Sequence, residues 1–216
     1  MNLYSHAILA QALQGAVAPD DPAAYLWGAV VPDIRYLAGL RRETTHLPDE
    51  TIRSWFAQYP GHEAFIQGYR VHCLIDTIAT VPALTGAFPL RWLQRFRRRE
   101  FSSQMAAVVI ELYYQTRRPR GPELVGGHNP ILASLGITPE QSATFAFETA
   151  GYLRSPSYQS VMTTFAHLGI IDDARIEKYT RAYRNLRRNP ILLGILMASA
   201  RNARLSEKAL RLWKEK

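Results

Sequence analysis

Apolar positions recur with a helical period along nearly the whole chain, and no run alternates in the two-residue rhythm of a half-buried strand. Leu3, Ala7, Ala10 and Leu13 predict a helix over 3–14, with Asn2 as a candidate cap. Pro22 suits the first turn of a second helix, 23–30, which Pro32 ends because proline offers no N–H to the ladder. Residues 31–47 read as an irregular loop. Residues 49–59 form a short helix stopped by Pro60-Gly61, and 63–80 carries the clearest helical pattern of the first half. Pro82 and Gly86 then punctuate. Pro89 opens a basic helix through Arg99, and Ser102 or Ser103 caps another through Thr116. Residues 119–137, rich in Gly and Pro, predict a long loop with one helical turn. Thr138-Pro139-Glu140-Gln141 has the form of a helix start. Helices follow over 139–153, 157–168, 171–187, 190–202 and 205–215. The expected architecture is all-α, a multi-helix bundle in one domain spanning 1–216.

Composition narrows the picture modestly. With 216 residues, 47% of them apolar, the chain can bury a core without disulfides, and its single cysteine, Cys73, cannot form one internally. The longest apolar run, Ile191 to Ala200, falls short of the ~20 residues a spanning helix needs. The start of the chain lacks the basic stretch and small-residue cleavage site of a targeting segment, so a cytoplasmic protein is expected. The formal charge is +8, unevenly placed: net +1 over residues 1–108 and +7 over 109–216. Arginine, which favours bidentate contacts to phosphate or carboxylate, supplies most of the basic residues. Such a surface suits phosphate esters, anionic lipid or nucleic acid and selects none of them. The chain therefore divides into a half carrying candidate chemistry, 1–118, and a basic helical half, 119–216.

The chemistry centres on His72 and Asp76. Four residues apart on one helix, they project from nearly the same side, one turn from each other. Phe65 and Tyr69 share that side, so an imidazole and a carboxylate point toward an interior. A buried carboxylate is costly unless it is paired, hydrogen-bonded or bound to metal. Taken alone, the pair is adequately explained as a His–Asp hydrogen bond. Asp33, at the end of an apolar helix broken by Pro32, and His46, in the adjoining segment Thr44-Thr45-His46-Leu47-Pro48, alter the weighing. The four together would form an N2O2 set suited to Zn²⁺, with Mn²⁺ or Fe²⁺ as alternatives. His6, early in the first helix, is a fifth candidate. Cys73 is turned ~100° from His72 and is not expected to be a ligand.

The ordered set His6, Trp27-Gly28-Ala29-Val30-Val31-Pro32-Asp33-Ile34, Thr45-His46 and Gly68-Tyr69-Arg70-Val71-His72-Cys73-Leu74-Ile75-Asp76 resembles the zinc-dependent phospholipase C family, which is related to the single-strand-specific zinc nucleases. The resemblance covers roughly residues 3–80. It implies the all-helical fold of that family and hydrolysis of phosphodiesters. It implies that Asp33, His46, His72 and Asp76 ligate one zinc ion, that Asp33 is the general base, and that His6 and Asp76 hold a second ion. A metal-activated water would attack phosphorus. The secreted members hold three zinc ions, using their free N-terminal residue and a His…His-x-x-x-Glu set after the His-x-x-x-Asp helix. Here residues 77–82 read Thr-Ile-Ala-Thr-Val-Pro, and His128 and His167 stand alone. One ion, or two with His6, is therefore expected rather than three.

Other features fit around this reading. Arg35, Arg41 and Arg42 flank Asp33 and His46 and could clamp a substrate phosphate. The segment Arg91 to Arg99 could lie on an anionic membrane surface, although an amphipathic helix with Trp92, Leu93 and Phe96 buried is the plainer account. Gly126-Gly127-His128 is a flap or a simple turn. The expected function is a metal-dependent phosphoester hydrolase, acting on phosphodiesters such as phospholipids. The alternative is a non-catalytic helical metal-binding module, and nucleic acid is the weaker choice of partner. A third class, helical phosphohydrolases built on an adjacent His-Asp pair, fails because the chain contains no such pair.

Overall fold

The computed structural model describes residues 3–78, 103–118 and 120–215. Those residues form helices and connecting turns, with no strand among them. The predicted basic helix opening at Pro89, its Arg91–Arg99 run and the punctuation at Pro82 and Gly86 lie outside the described residues, as does the candidate cap Asn2. None of the described helices is long and apolar enough to cross a membrane.

The first half is built on three helices: α1 (Leu3–Val17), α2 (Pro22–Val30) and α6 (Glu63–Asp76). Helix α1 buries every residue from Leu3 to Ala10, Ser5 and His6 included. A helix enclosed on all sides belongs in the interior of a domain, and α1 packs against α2, α6 and helices of the second half. Helix α2 begins as its sequence suggests. Asp21 Oδ1 accepts the N–H groups of Ala23 and Ala24 at 2.9 and 3.0 Å, and Pro22 occupies the first turn, where its missing N–H costs nothing.

Helices α2 and α6 make the most extensive helix–helix contact among the described residues. Two glycines permit it. A Cβ added to Gly68 would lie 1.9 Å from the carbonyl oxygen of Tyr25, and one added to Gly28 would lie 2.1 Å from that of Phe65. The two backbones therefore cross in direct contact. Aromatic residues fill the space around them: Tyr25, Phe65 and Tyr69 are fully buried, and the Tyr25 hydroxyl donates to the Ala10 carbonyl of α1 at 2.9 Å.

Residues 31–47 correct the expectation of an irregular loop. Pro32 stops the α-helical ladder, but the chain continues in tight helical turns: a 3-10 turn over Val31–Ile34, then α3 (Arg35–Ala38) and α4 (Arg42–Thr45). Gly39, at φ +66°, ends α3 in the left-handed conformation that glycine adopts most readily. Helix α5 (Asp49–Gln58) is tied to α6 by Arg70, which pairs with Asp49 at 2.8 and 3.2 Å. Helix α6 ends at Asp76, earlier than the predicted 80, because residues 77 and 78 form a turn.

The first half ends with α7 (Ser103–Arg117), and the second contributes α8 (Pro130–Ser134), α9 (Pro139–Arg154), α10 (Tyr158–His167), α11 (Asp173–Arg187), α12 (Pro190–Asn202) and α13 (Leu205–Glu215). The predicted loop over 119–137 contains one short helix, α8, capped by Asn129. Helix α9 opens with a capping box between Thr138 and Gln141, as its sequence indicates. Helix α13 returns to pack on α1 and α6, so the chain's end closes over its beginning. The Gly126-Gly127 segment is held against α2, where Trp27 Nε1 donates to the Gly127 carbonyl at 2.8 Å.

Candidate metal centre

Each candidate ligand reaches the interior by a different local device. His72 and Asp76 leave α6 one turn apart. Asp33 is turned inward by the 3-10 segment that Pro32 forces on the end of α2. His46 stands at the C-terminal end of α4. The preceding carbonyl, that of Thr45, accepts a hydrogen bond from the buried Tyr69 hydroxyl of α6, which fixes the short segment bearing His46. His6 comes from the fully enclosed part of α1 and is 0% exposed, as is His72.

These five side chains converge. His6 Nε2 lies 3.0 Å from Asp76 Oδ1, and His6 Nδ1 lies 3.6 Å from Asp33 Oδ2. His46 Nε2 lies 3.1 Å from Asp76 Oδ2 and 3.2 Å from His72 Nε2. The His6 and His72 rings stack with centroids 4.0 Å apart, and the His46 ring meets His72 edge-on at 5.1 Å. The ligand atoms group as two overlapping triads that share His72: His6–Asp33–His72 and His46–His72–Asp76. Asp33 and His46 thus fall in different triads.

Three observations bear on whether these residues suit a metal ion. The first is spacing. A tetrahedral ion with bonds of about 2.0–2.1 Å places its ligand atoms roughly 3.3 Å apart, and His46 Nε2 lies 3.1 Å from Asp76 Oδ2 and 3.2 Å from His72 Nε2. The second is tautomer. A carbonyl can only accept, so His72 Nδ1–H donates to Ala29 O at 2.9 Å and leaves Nε2 as a lone pair directed at His46 Nε2. A histidine ligand held by its other nitrogen on a backbone carbonyl is the usual outer arrangement of a metal site. The third is an orphan: His6 Nδ1 is buried without a hydrogen bond, which a native interior rarely tolerates.

Burial and mutual charge set the protonation of each group. Burial, together with its cationic neighbour His6, pushes the His72 imidazole down to about 3, so it is neutral at pH 7. Burial also works against the charged form of His6, but the Asp33 and Asp76 carboxylates outweigh it and hold His6 above its ordinary value. Asp76 is raised by burial and lowered far more by His46 and His6, and its carboxyl stays ionised. Asp33 is held below the usual carboxylate range by His6 and His72 against its burial.

The three arginines separate. Arg42 Nη2 donates to Asp76 Oδ2 at 2.6 Å while its side chain remains 47% exposed, so it spans from the cluster to solvent. Arg35 lies 3.8 Å over the Tyr36 ring and donates to the Tyr36 hydroxyl. Arg41 is almost fully exposed and is paired loosely with Glu43 at 3.8 Å. Cys73 belongs to neither triad, and burial pushes its thiol up to about 12, which disfavours the thiolate a metal requires. His128 contacts Ser142 and His167 contacts Glu148, both outside the cluster. A separate groove of about 780 Å³ between α10 and α11, lined by Tyr158, Met162, Tyr183 and Arg184, shares none of the five residues.

Two further polar residues carry little signal in the sequence. Tyr36 stands three residues beyond Asp33 and supports Arg35. Glu111 lies buried at 1% exposure in α7, and its only sequence signal is an acid within the apolar run Val108-Val109-Ile110-Glu111-Leu112. No family model, curated protein or solved structure matches this chain.

Proposed function

We propose that the protein is a metal-dependent phosphoester hydrolase whose His–Asp cluster holds one zinc ion, with a second taken through His6. The observation that carries this reading is the convergence of three histidines and two aspartates, drawn from α1, α4, α6 and the 3-10 turn, into two triads sharing a neutral His72. A divalent ion bound there would polarise a phosphoryl oxygen and acidify a water beside it.

The chain's own groups supply the rest. Asp33 is ionised at neutral pH and can accept a proton from an attacking water. Arg42 reaches outward from Asp76 and is placed to hold a phosphoryl oxygen by charge-assisted hydrogen bonds. The Ala29 carbonyl holds His72 in one tautomer and orientation. The resemblance to zinc-dependent phospholipases C favours a phosphodiester, phospholipid first, and the basic surface suits contact with an anionic membrane.

The test uses the full chain purified without chelator. Zinc content is measured by elemental analysis, and hydrolysis of bis(p-nitrophenyl) phosphate by absorbance, for wild type, His72→Ala and Asp76→Ala. Stoichiometric zinc and turnover in wild type, both lost in the variants, are expected. Zinc without turnover of this ester or of phospholipid vesicles would favour a non-catalytic metal-binding module. Absence of zinc, manganese and iron binding would remove the metal reading altogether.

A further inference from the structure

Glu111 is buried at 1% exposure and stands outside the metal cluster. A carboxylate so placed needs strong donors, and its donors come from an unexpected source. Oε1 accepts the backbone N–H of Tyr4 at 3.1 Å, and Oε2 accepts that of Ser5 at 3.1 Å. The Tyr152 hydroxyl also donates to Oε1, and Gln115 Nε2 donates to that hydroxyl at 2.8 Å. Tyr4 and Ser5 lie in the first turn of α1, where helix N–H groups have no partner within the helix and the dipole favours an anion. The first turn of α1 is thus clamped, through two separate oxygens, by a carboxylate 107 and 106 residues away in α7.

His6 is the next residue. Each residue along a helix advances by about 1.5 Å and turns by about 100°, so fixing two successive N–H groups fixes both the depth and the rotation of the His6 side chain. Its ring must fit between Asp76 Oδ1 at 3.0 Å and Asp33 Oδ2 at 3.6 Å, so small errors in either would misplace it. We infer that Glu111 is a positioning residue for His6: it holds the first turn of α1 where the imidazole meets Asp33 and Asp76. All the contacts to its oxygens named here come from N–H and O–H donors, and Glu111 acts through α1 rather than on an ion. The inference deepens the metal-site reading, and its first test needs no metal.

That test compares wild type with Glu111→Gln, which keeps the shape but sets an NH2 group against a backbone N–H. In chelator-stripped protein, amide exchange at Tyr4, Ser5 and His6 should accelerate about tenfold or more while α6 amides keep their protection, and the His6 ring nitrogen shifts should move. In a zinc titration the variant should lose about tenfold or more in affinity, and that loss should vanish in a His6→Ala background. Unchanged exchange and ring shifts would overturn the inference, as would an equal zinc loss with and without His6. If Glu111→Gln does not fold, Glu111→Asp, which keeps the charge but shortens the reach, is read by the same measurements. If wild type binds no zinc, the hydrolase reading fails, while exchange and His6 shifts still decide the role of Glu111.

Discussion

Replacing Gly68 with alanine should loosen the whole metal-bearing half of the protein, and the structure shows how much must move. The new Cβ would sit 1.9 Å from Tyr25 O, 2.8 Å from Tyr25 C and 2.9 Å from Ala29 N. These are backbone atoms, so no side-chain rotation relieves the overlap. Restoring ordinary contact near 3.4 Å requires α2 and α6 to part by about 1.5 Å. Overpacking of this kind costs about 1–3 kcal/mol and sometimes more. It is offset by about 1 kcal/mol from removing a glycine inside a helix. Because the overlap is with backbone, the upper end of the overpacking cost applies, and we expect a net loss of about 2 kcal/mol in urea unfolding, with an unchanged m-value. The same separation would stretch the 2.9 Å bond from His72 to Ala29 O, so zinc affinity should fall as well. Gly151→Ala is the control: this glycine is also inside a helix, but a Cβ there meets nothing within 4 Å. That variant should gain about 0.5–1 kcal/mol. A Gly68→Ala protein as stable as wild type, or stabilised like the control, would refute the account of the crossing.

Three further outcomes are expected. Metal-free protein should lose about 1 kcal/mol of stability between pH 6 and pH 5, because His72 takes up no proton when folded until about pH 3 but does so near 6.5 when unfolded. His6 has the opposite sign: its contribution is in place below 6.5 and is lost as pH rises through its raised folded value, so it does not cancel the acid loss. Urea midpoints at the two pH values measure this, and a flat response would contradict a neutral, buried His72. Arg42→Ala should lower kcat/KM on a phosphate diester about tenfold or more, a barrier increase of roughly 1.4 kcal/mol. Arg41→Ala, whose side chain is exposed and only loosely paired, should leave kcat/KM nearly unchanged; equal effects of the two would deny Arg42 its special place. Thr138→Ala removes the α9 capping box and should cost about 1 kcal/mol by thermal or urea unfolding, without altering zinc affinity.

Much of the local structure was legible before any coordinates. Pro22, Thr138 and Pro139 mark helix starts because a cap or a missing N–H acts within one turn of the chain, and the helices predicted through Thr116, over 139–153 and over 205–215 end within a residue of the observed Arg117, Arg154 and Glu215. His72 and Asp76 were legible as a pair for the same reason: helical geometry sets their relation whatever surrounds them. The segment 31–47 was less so, since runs of a single turn carry too few residues to show a period.

What the sequence could not decide is which of these local pieces meet. Gly28 and Gly68 look like two unrelated helix weak points until the crossing of α2 and α6 shows each leaving room for the other's backbone. Asp33, His46 and His6 each have an ordinary local explanation, and only packing around that crossing brings them to His72 and Asp76. Arg35, Arg41 and Arg42 are indistinguishable in sequence, yet one reaches Asp76 and another lies in solvent. Glu111 reads as a misplaced charge in an apolar helix until a first turn more than a hundred residues away is found resting on it. Capping and periodicity act over a few residues and are therefore written locally. A ligand cluster depends on side chains from distant segments arriving within about 3 Å of one another, and only the folded arrangement of helices sets those distances.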